Sequence, residues 1–535
     1  MPSALSVPHL LRARARESPE RELLRFEGAS ATYGEIEERS NRLANALTRR
    51  GIEPGDRVAI MLPNGLGFPT AWLAVAKTGG IVVPVNVACG ARDSTHVLHD
   101  SGARLAIAEP ERLPLLRRVR PDCPALEAIA GWRESDGTCA GGREEGAEIP
   151  DFDLRAEAAD TSPARSLEGL EPDAPVTIQY TSGTTGLPKG CVLTHEYWLT
   201  LARSMCEHVG LGPGDTVLTA QPFCYMDPTW NLVACLLAGA PLVVLPRFSA
   251  STFWRSVAEN GVTFFYCLGT MPVYLYKQPE DPEVERGHRV RLVLCSGIPA
   301  PLHAAFEERW GCPWREAYGT TELGGVLLVP VDDAESVGSG AIGSPAPGYE
   351  VRIVGPGGEE VGDGETGEMI VRGPSLMQGY WNDPEATAAW NPDGWARTGD
   401  LAFRDARGYY HLVGRLKEMI RRGGENVAAA EVEGVLCEHP SVRAAACVPV
   451  PDADRGEEVK AFVQLQPGES SASLPPPALL EFVRGRLAPF KVPRFVEYVE
   501  EFPLTPSAKI SKPRLLAHKS DPRRRCFDAR TGEWG

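Results

Sequence analysis

Residues Tyr180 to Gly190 read YTSGTTGLPKG. Within this stretch Thr181, Ser182, Thr184 and Thr185 carry hydroxyls, and Gly183, Gly186 and Gly190 leave the backbone unobstructed. Val176 to Tyr180, β-branched and aromatic, predicts a buried strand ahead of it. Cys191 to His195 follow, and a helical run begins at Glu196. A glycine-rich loop between strand and helix offers N–H groups to an anion such as a phosphate. It is not a Walker A loop, which needs Gly-Lys-Ser/Thr after four residues. Here Lys189 stands three residues after Gly186 and precedes Gly190. Lysine is rare in this arginine-rich chain, which argues against a plain polar turn.

Further downstream, four more stretches carry groups that could serve one nucleotide. Glu316 to Glu322 reads EAYGTTE. Tyr318 offers a ring face to a purine, Thr321 a hydroxyl to a phosphate, and Glu322 a hard oxygen to Mg²⁺. Asp400, after a glycine turn, has acceptors suited to a ribose diol. Arg415 can reach ribose or phosphate oxygens. Gly423 and Gly424 permit close backbone approach. Lys509 sits on a Pro/Ser loop, where a lysine would ordinarily be solvated. For Asp400 and the glycine pair, a turn or cap remains the alternative reading.

Taken together, the stretches resemble, in order, the motifs of the adenylate-forming enzymes: acyl-CoA synthetases, adenylation domains and luciferases. Ser296, Gly297 and Ile298, and the Gly379–Pro384 stretch, agree more weakly. The resemblance implies ATP, Mg²⁺ and CoA as cofactors. It assigns Thr181, Ser182, Gly183, Thr184, Thr185, Gly186 and Lys189 to the phosphates. Ser296 to Ile298 and Tyr318, Gly319, Thr320, Thr321 and Glu322 go to the nucleotide and its metal. Asp400 goes to the ribose, Arg415 to ribose or phosphate oxygens, and Gly423 and Gly424 to the pantetheine arm. Catalytic roles fall to Lys509, Thr185, Glu322 and the hinge residue Lys417. One departure concerns the acyl site. Where the family often has His after Pro222-Phe223, this chain has Cys224. The implied acyl-pocket residues are Phe223, Cys224, Tyr225, Met226, Asp227, Trp230 and Tyr266. Asp227 has two readings, a partner for a cationic substrate group or an N-cap for the helix that follows.

The elements that must hold these residues alternate. A capping-type Thr32 opens a helix to about Arg50. Arg57–Leu62 and Ile81–Val85 read as strands, with a helix at 71–78 between them. From Ala130 to about Asp173 the chain is acidic and aperiodic, an exposed loop region. From Gly338 it turns to short strands and Gly-rich turns. The predicted fold is α/β: a large N-terminal domain (1–414) of layered sheets and helices with a small β-barrel-like subdomain. A hinge (415–418) joins it to a small mobile α+β C-terminal domain (419–519), and a loose tail (520–535) follows.

Composition narrows the function. The chain has 535 residues and a formal charge of −16, which disfavours nucleic acid and anionic membranes as partners. The 13 cysteines show no CxxC pair, as expected of reduced, buried thiols in a cytoplasmic protein. His96 and His99 share a helix face without a third ligand nearby, so no metal site is expected there. No signal peptide or membrane span is expected. The expected function is an acyl-CoA ligase, monomeric or homodimeric, acting on a small carboxylic acid or its adenylate. Its rivals are an enzyme loading a carrier protein, one running only the thioester-forming half-reaction, and a non-catalytic nucleotide-binding regulator.

Overall fold

A computed structural model describes residues 6–133, 150–181, 188–422, 425–504, 510–516 and 523–535. The chain forms two compact units. The first comprises Met1–Glu350 and Arg372–Ala396, the second Val351–Val371 and Arg397–Gly535.

In the first unit one sheet runs Gly379–Tyr380, Lys189–Thr194, Pro175–Thr181, Ile81–Pro84, Arg57–Met61, Leu105–Ala108, Ala128–Gly131 and Phe152–Asp153. Its strands from Pro175–Thr181 to Phe152–Asp153 pair in parallel, as the strand–helix alternation predicts. Lys189–Thr194 is antiparallel to both of its neighbours. A second run of strands goes Ala341–Pro345, Gly324–Leu328, Trp314–Thr320, Leu292–Ser296, Phe264–Leu268, Val217–Thr219, Leu242–Val244, Glu22–Phe26 and Ala29–Thr32. It too is parallel at its centre.

Local chemistry sets the helix ends. Thr32 caps the Tyr33–Arg49 helix by accepting from the Glu35 amide, and Glu35 returns the bond to Thr32 N. The Gly67–Thr78 helix is apolar on nearly every side and buried along its whole length. Its Lys77 ammonium, fully buried, is satisfied by Glu37 Oε2 at 2.6 Å, Ser40 Oγ and Asn41 Oδ1. The acidic 130–173 stretch is less loop-like than its composition predicts. Its described residues contribute the end of the Ala128–Gly131 strand, the Phe152–Asp153 strand and the Leu154–Ala159 helix, which Asp153 caps.

In the second unit, Glu350–Val354, Gly367–Arg372, Ala396–Arg404 and Tyr410–Arg415 lie side by side. The unit's other sheet is built on the long hairpin of Val442–Asp452 and Gly456–Leu465. The Ala429–Cys437 and Pro476–Arg484 helices contribute Val432, Leu436, Leu479, Leu480 and Val483 to a core with Val459, Ala461 and Val463. The expected loose tail is a correction: Phe527–Asp528 pairs antiparallel with Phe495–Tyr498, and Glu533–Trp534 pairs with Phe527–Asp528. Phe527 is buried in the core, and Asp528 receives both Nε and Nη2 of Arg494. Two buried residues, Cys526 and Phe527, with a bidentate ion pair hold a segment whose composition is otherwise polar. Replacing Phe527 with Ala should cost the second unit about 3 kcal/mol, read as a lower midpoint in its denaturant unfolding.

Candidate functional site: a nucleotide-binding edge

The phosphate-type loop does not run from strand into helix, as its sequence predicts. Pro175–Thr181 and Lys189–Thr194 are an antiparallel hairpin, with Thr181 opposite Lys189. The Thr194 side chain then caps the His195–Val209 helix by accepting from Tyr197 N. The loop therefore connects two antiparallel strands and does not lead into a helix N-terminus. Ser182, Gly183, Thr184, Thr185 and Gly186 lie outside the described residues, as do Gly423, Gly424 and Lys509.

Glu322 follows the Trp314–Thr320 strand in a tight turn. Gly319 is needed there: a Cβ would stand 2.2 Å from Gly324 O, at the point where the strand register shifts. Thr320 O accepts from Leu323 N, Thr321 O from Tyr197 OH at 3.0 Å and Glu322 O from Met377 N at 2.9 Å. The Glu322 carboxylate accepts from Tyr380 OH at 3.2 Å. Cys191, buried beneath, interacts with both Thr181 and Glu322, and burial pushes its thiol pKa far up, so it stays neutral. Glu322 thus stands against the hairpin that carries the loop. Lys189 pairs with Asp383 Oδ2 at 2.9 Å and lies 5.1 Å from the Tyr380 ring centroid.

Tyr318, half-buried, belongs to the same strand as Glu316, which sequence reasoning quoted without a role. The Glu316 carboxyl is almost fully buried and accepts from Gly297 N at 2.6 Å and Ile298 N at 2.8 Å. It thereby fixes the Ser296–Ile298 turn, where Gly297 has φ +100°. Ser296 Oγ accepts from Tyr266 OH at 2.7 Å and donates to Ala317 O. The structure so joins the weaker Ser296–Ile298 stretch to the EAYGTTE stretch through a buried acid.

The proposed acyl-pocket residues gather at the start of the Met226–Ala238 helix. Asp227 is not its N-cap: that place is Tyr225, and Asp227 lies in the first turn. Phe223 is buried, stacked on Phe68 with centroids 5.3 Å apart, while its amide donates to Asn64. Phe223 is thus framework as much as lining. Burial raises the Cys224 thiol pKa, and Cys224 O accepts from Gln179 Nε2 at 2.6 Å. Tyr225 OH accepts from Asn86 Nδ2, and Trp230 meets Tyr266 edge-on at 5.7 Å. Thr321 Oγ1 reaches Met226 Sδ at 3.6 Å, tying this group to the nucleotide motif. Gln179, Asn64 and Tyr197 were missed, and Tyr380 was included in the Gly379–Pro384 stretch without a role; single polar residues in apolar or turn settings give no sequence signal of a partner.

In the second unit, Asp400 is buried and pairs with Arg415 Nε at 2.8 Å, its register partner on the neighbouring strand. Two of the predicted nucleotide-contacting residues are thus neighbours. Lys417 is exposed in the Leu416–Glu418 turn. His96 and His99 meet the carbonyls of Pro188 and Asp122. Among the described residues no three His, Cys, Asp or Glu form a metal cage. A lone restrained carboxylate such as Glu322 fits Mg²⁺, which takes one or two carboxylates and completes its shell with phosphate and water. No described helix is long and apolar enough to cross a membrane.

Comparison with known proteins places the chain in a family. Residues 11–381 match the model of the AMP-binding enzymes, and residues 431–509 that of the AMP-binding enzyme C-terminal domain. A feruloyl-CoA synthase from Amycolatopsis sp is 36% identical over 504 residues, covering 93% of this chain and 96% of that protein. A sulfoacetate–CoA ligase from Cupriavidus necator is 32% identical over 520 residues, with 95% and 97% covered. The crystal structure of the anthranilate CoA ligase AuaEII with anthranoyl-AMP superimposes with a TM-score of 0.86 at 26% identity, covering 97% of this chain and 98% of that one. The chain belongs to the AMP-binding, adenylate-forming enzyme family, in its acyl-CoA ligase branch, and is an acid–thiol ligase.

Burial raises the Glu316 pKa from its ordinary 4.5 to about 8, against the two amides that lower it. The folded state therefore holds a proton that the unfolded state gives up. This contribution to stability is full below about pH 4.5 and is lost as pH rises through about 8. Glu316→Gln should flatten that part of the melting-temperature profile; a variant with the wild-type slope would contradict the assignment.

Proposed function

We propose that this enzyme joins a carboxylic acid to ATP, releasing pyrophosphate, and passes the acyl group of the resulting acyl-adenylate to the thiol of CoA. The observation that carries this reading is Glu322 held against the phosphate-loop hairpin. Carboxylate and polyphosphate repel each other, so the first step is a problem of position and charge. Glu322 would hold Mg²⁺, which when bound would supply positive charge against the polyphosphate; Thr181 and Lys189, with the loop between them, would hold the phosphates. Tyr318 offers its ring to the adenine, while Asp400 and Arg415 take the ribose hydroxyls. Lys509 bridges the attacking carboxylate and the α-phosphate.

In the second step the CoA thiol attacks the acyl carbon and AMP leaves. Lys509 must then withdraw and the pantetheine arm must enter along Gly423 and Gly424. A rotation about Lys417, with 415–418 as hinge between 1–414 and 419–519, serves both needs.

The acid is aromatic in this reading. Tyr225, Trp230 and Tyr266 give the neighbourhood of Met226 an aromatic character, and a cysteine replaces the bulkier histidine. The names of the feruloyl-CoA synthase and the anthranilate CoA ligase agree with it. A panel of aryl, fatty and sulfonated acids in a pyrophosphate-release assay, chased with CoA or a carrier protein, tests both acid and acceptor. Preference for a fatty or sulfonated acid would overturn the aromatic assignment.

Two substitutions separate the half-reactions. Lys509→Ala should abolish acyl-AMP formation yet spare thioester formation from supplied acyl-AMP; equal loss of both would refute the role. Glu322→Ala should lower the adenylation rate about 10²- to 10³-fold, as losing one preorganised group does, measured by pyrophosphate exchange at saturating ATP.

A further inference from the structure

The segment from Met377 to Asp383 lies along the outer side of the Lys189–Thr194 strand. Gly379 and Tyr380 pair with Val192 and Cys191. Trp381 N donates to Gly190 O at 2.7 Å, and its indole N–H donates to Asp100 O at 3.1 Å. Tyr380 N donates to Thr387 Oγ1 at 2.9 Å, and Thr387 Oγ1 donates to Asp383 O. Asp383 caps the Pro384–Trp390 helix through Ala386 N. Gly379 has φ +148°, and a Cβ there would stand 2.7 Å from the Thr387 methyl. The Tyr380 backbone is therefore fixed on both sides.

From this fixed strand the Tyr380 side chain reaches Glu322. Its hydroxyl donates to Oε1 at 3.2 Å, while Met377 N holds the Glu322 carbonyl at 2.9 Å. The segment grips Glu322 by both backbone and side chain. A tyrosine phenol is protonated at neutral pH and acts here as the donor. A glutamate on a turn otherwise samples several rotamers and must be ordered when it takes up an ion. A carboxylate with one oxygen already bonded presents the other in a defined direction, as partners outside a metal's own ligands commonly arrange.

We propose that Tyr380 is a positioning residue for the metal-binding carboxylate, holding Glu322 in the rotamer that accepts Mg·ATP. This rests on the nucleotide reading given above. Tyr380 touches neither the reacting carbon nor the phosphorus in this account; it acts through Glu322.

Tyr380→Phe tests it, because the ring, its edge contact with Trp390 at 6.4 Å and its position beside Lys189 are kept while the hydroxyl is lost. Calorimetry with no acid present should show Mg·ATP binding about tenfold weaker, the loss that one hydrogen bond to a charged group represents. AMP without Mg²⁺ should bind the variant within about twofold of wild type. In pyrophosphate exchange the Mg²⁺ midpoint at fixed ATP should rise about tenfold, with the melting temperature unchanged. Equal Mg·ATP affinity and an unchanged midpoint would overturn the proposal. So would a matching loss of AMP affinity, since the effect would then be general packing. Failure of the wild-type protein to bind Mg·ATP would instead remove the nucleotide reading, and the role of Tyr380 with it.

Discussion

The pairing of the Lys189–Thr194 strand on both its edges organises the nucleotide end of the first unit. On one edge it closes a hairpin with Pro175–Thr181; on the other it takes up Gly379–Tyr380. Because antiparallel neighbours lie about 5 Å apart, residues far apart in sequence come within side-chain reach. Lys189 meets Asp383 and Tyr380, and Tyr380 meets Glu322. Without this doubly paired strand, the Tyr180–Gly190 stretch, the Glu322 turn and the Met377–Asp383 segment would be three unrelated pieces of chain.

A second constraint acts inside the unit. Glu316 is buried where an ionised carboxylate is costly, yet two amides of the Ser296–Ile298 turn point at it. The gain is geometric: one side chain locks the turn to the Trp314–Thr320 strand on which Tyr318 also sits. In the second unit the buried Asp400 has its counter-charge in Arg415 across a strand pair. In both places an acid is paired by neighbours that the sheet register supplies.

The chemistry was legible wherever it is local. Thr32 and Glu35 form a capping box within four residues, and the helix follows. Tyr318 to Glu322 stand in one short string, and Asp400 and Arg415 were both singled out before their pairing was known. Reading failed where the partner is distant. The helical run expected from Glu196 is present as His195–Val209, but the antiparallel pairing of Lys189–Thr194 with Pro175–Thr181, and with Gly379–Tyr380 far down the chain, has no signal in the stretch itself. The last residues looked like a loose tail because Phe527 is one aromatic among charged neighbours, and its strand partner, Val496, is far up the chain.

By itself the sequence determined residue types, their order and the family they belong to, because glycines, hydroxyls, acids and lysines at set spacings carry that information locally. Tertiary structure alone decided that the loop is a hairpin end, that Glu316 clamps a turn, and that Tyr380 bonds Glu322. The last two join segments separated in sequence, and the hairpin is held in a sheet whose other strands come from far along the chain, so these contacts are fixed by the packing of the whole unit rather than by any short stretch of it.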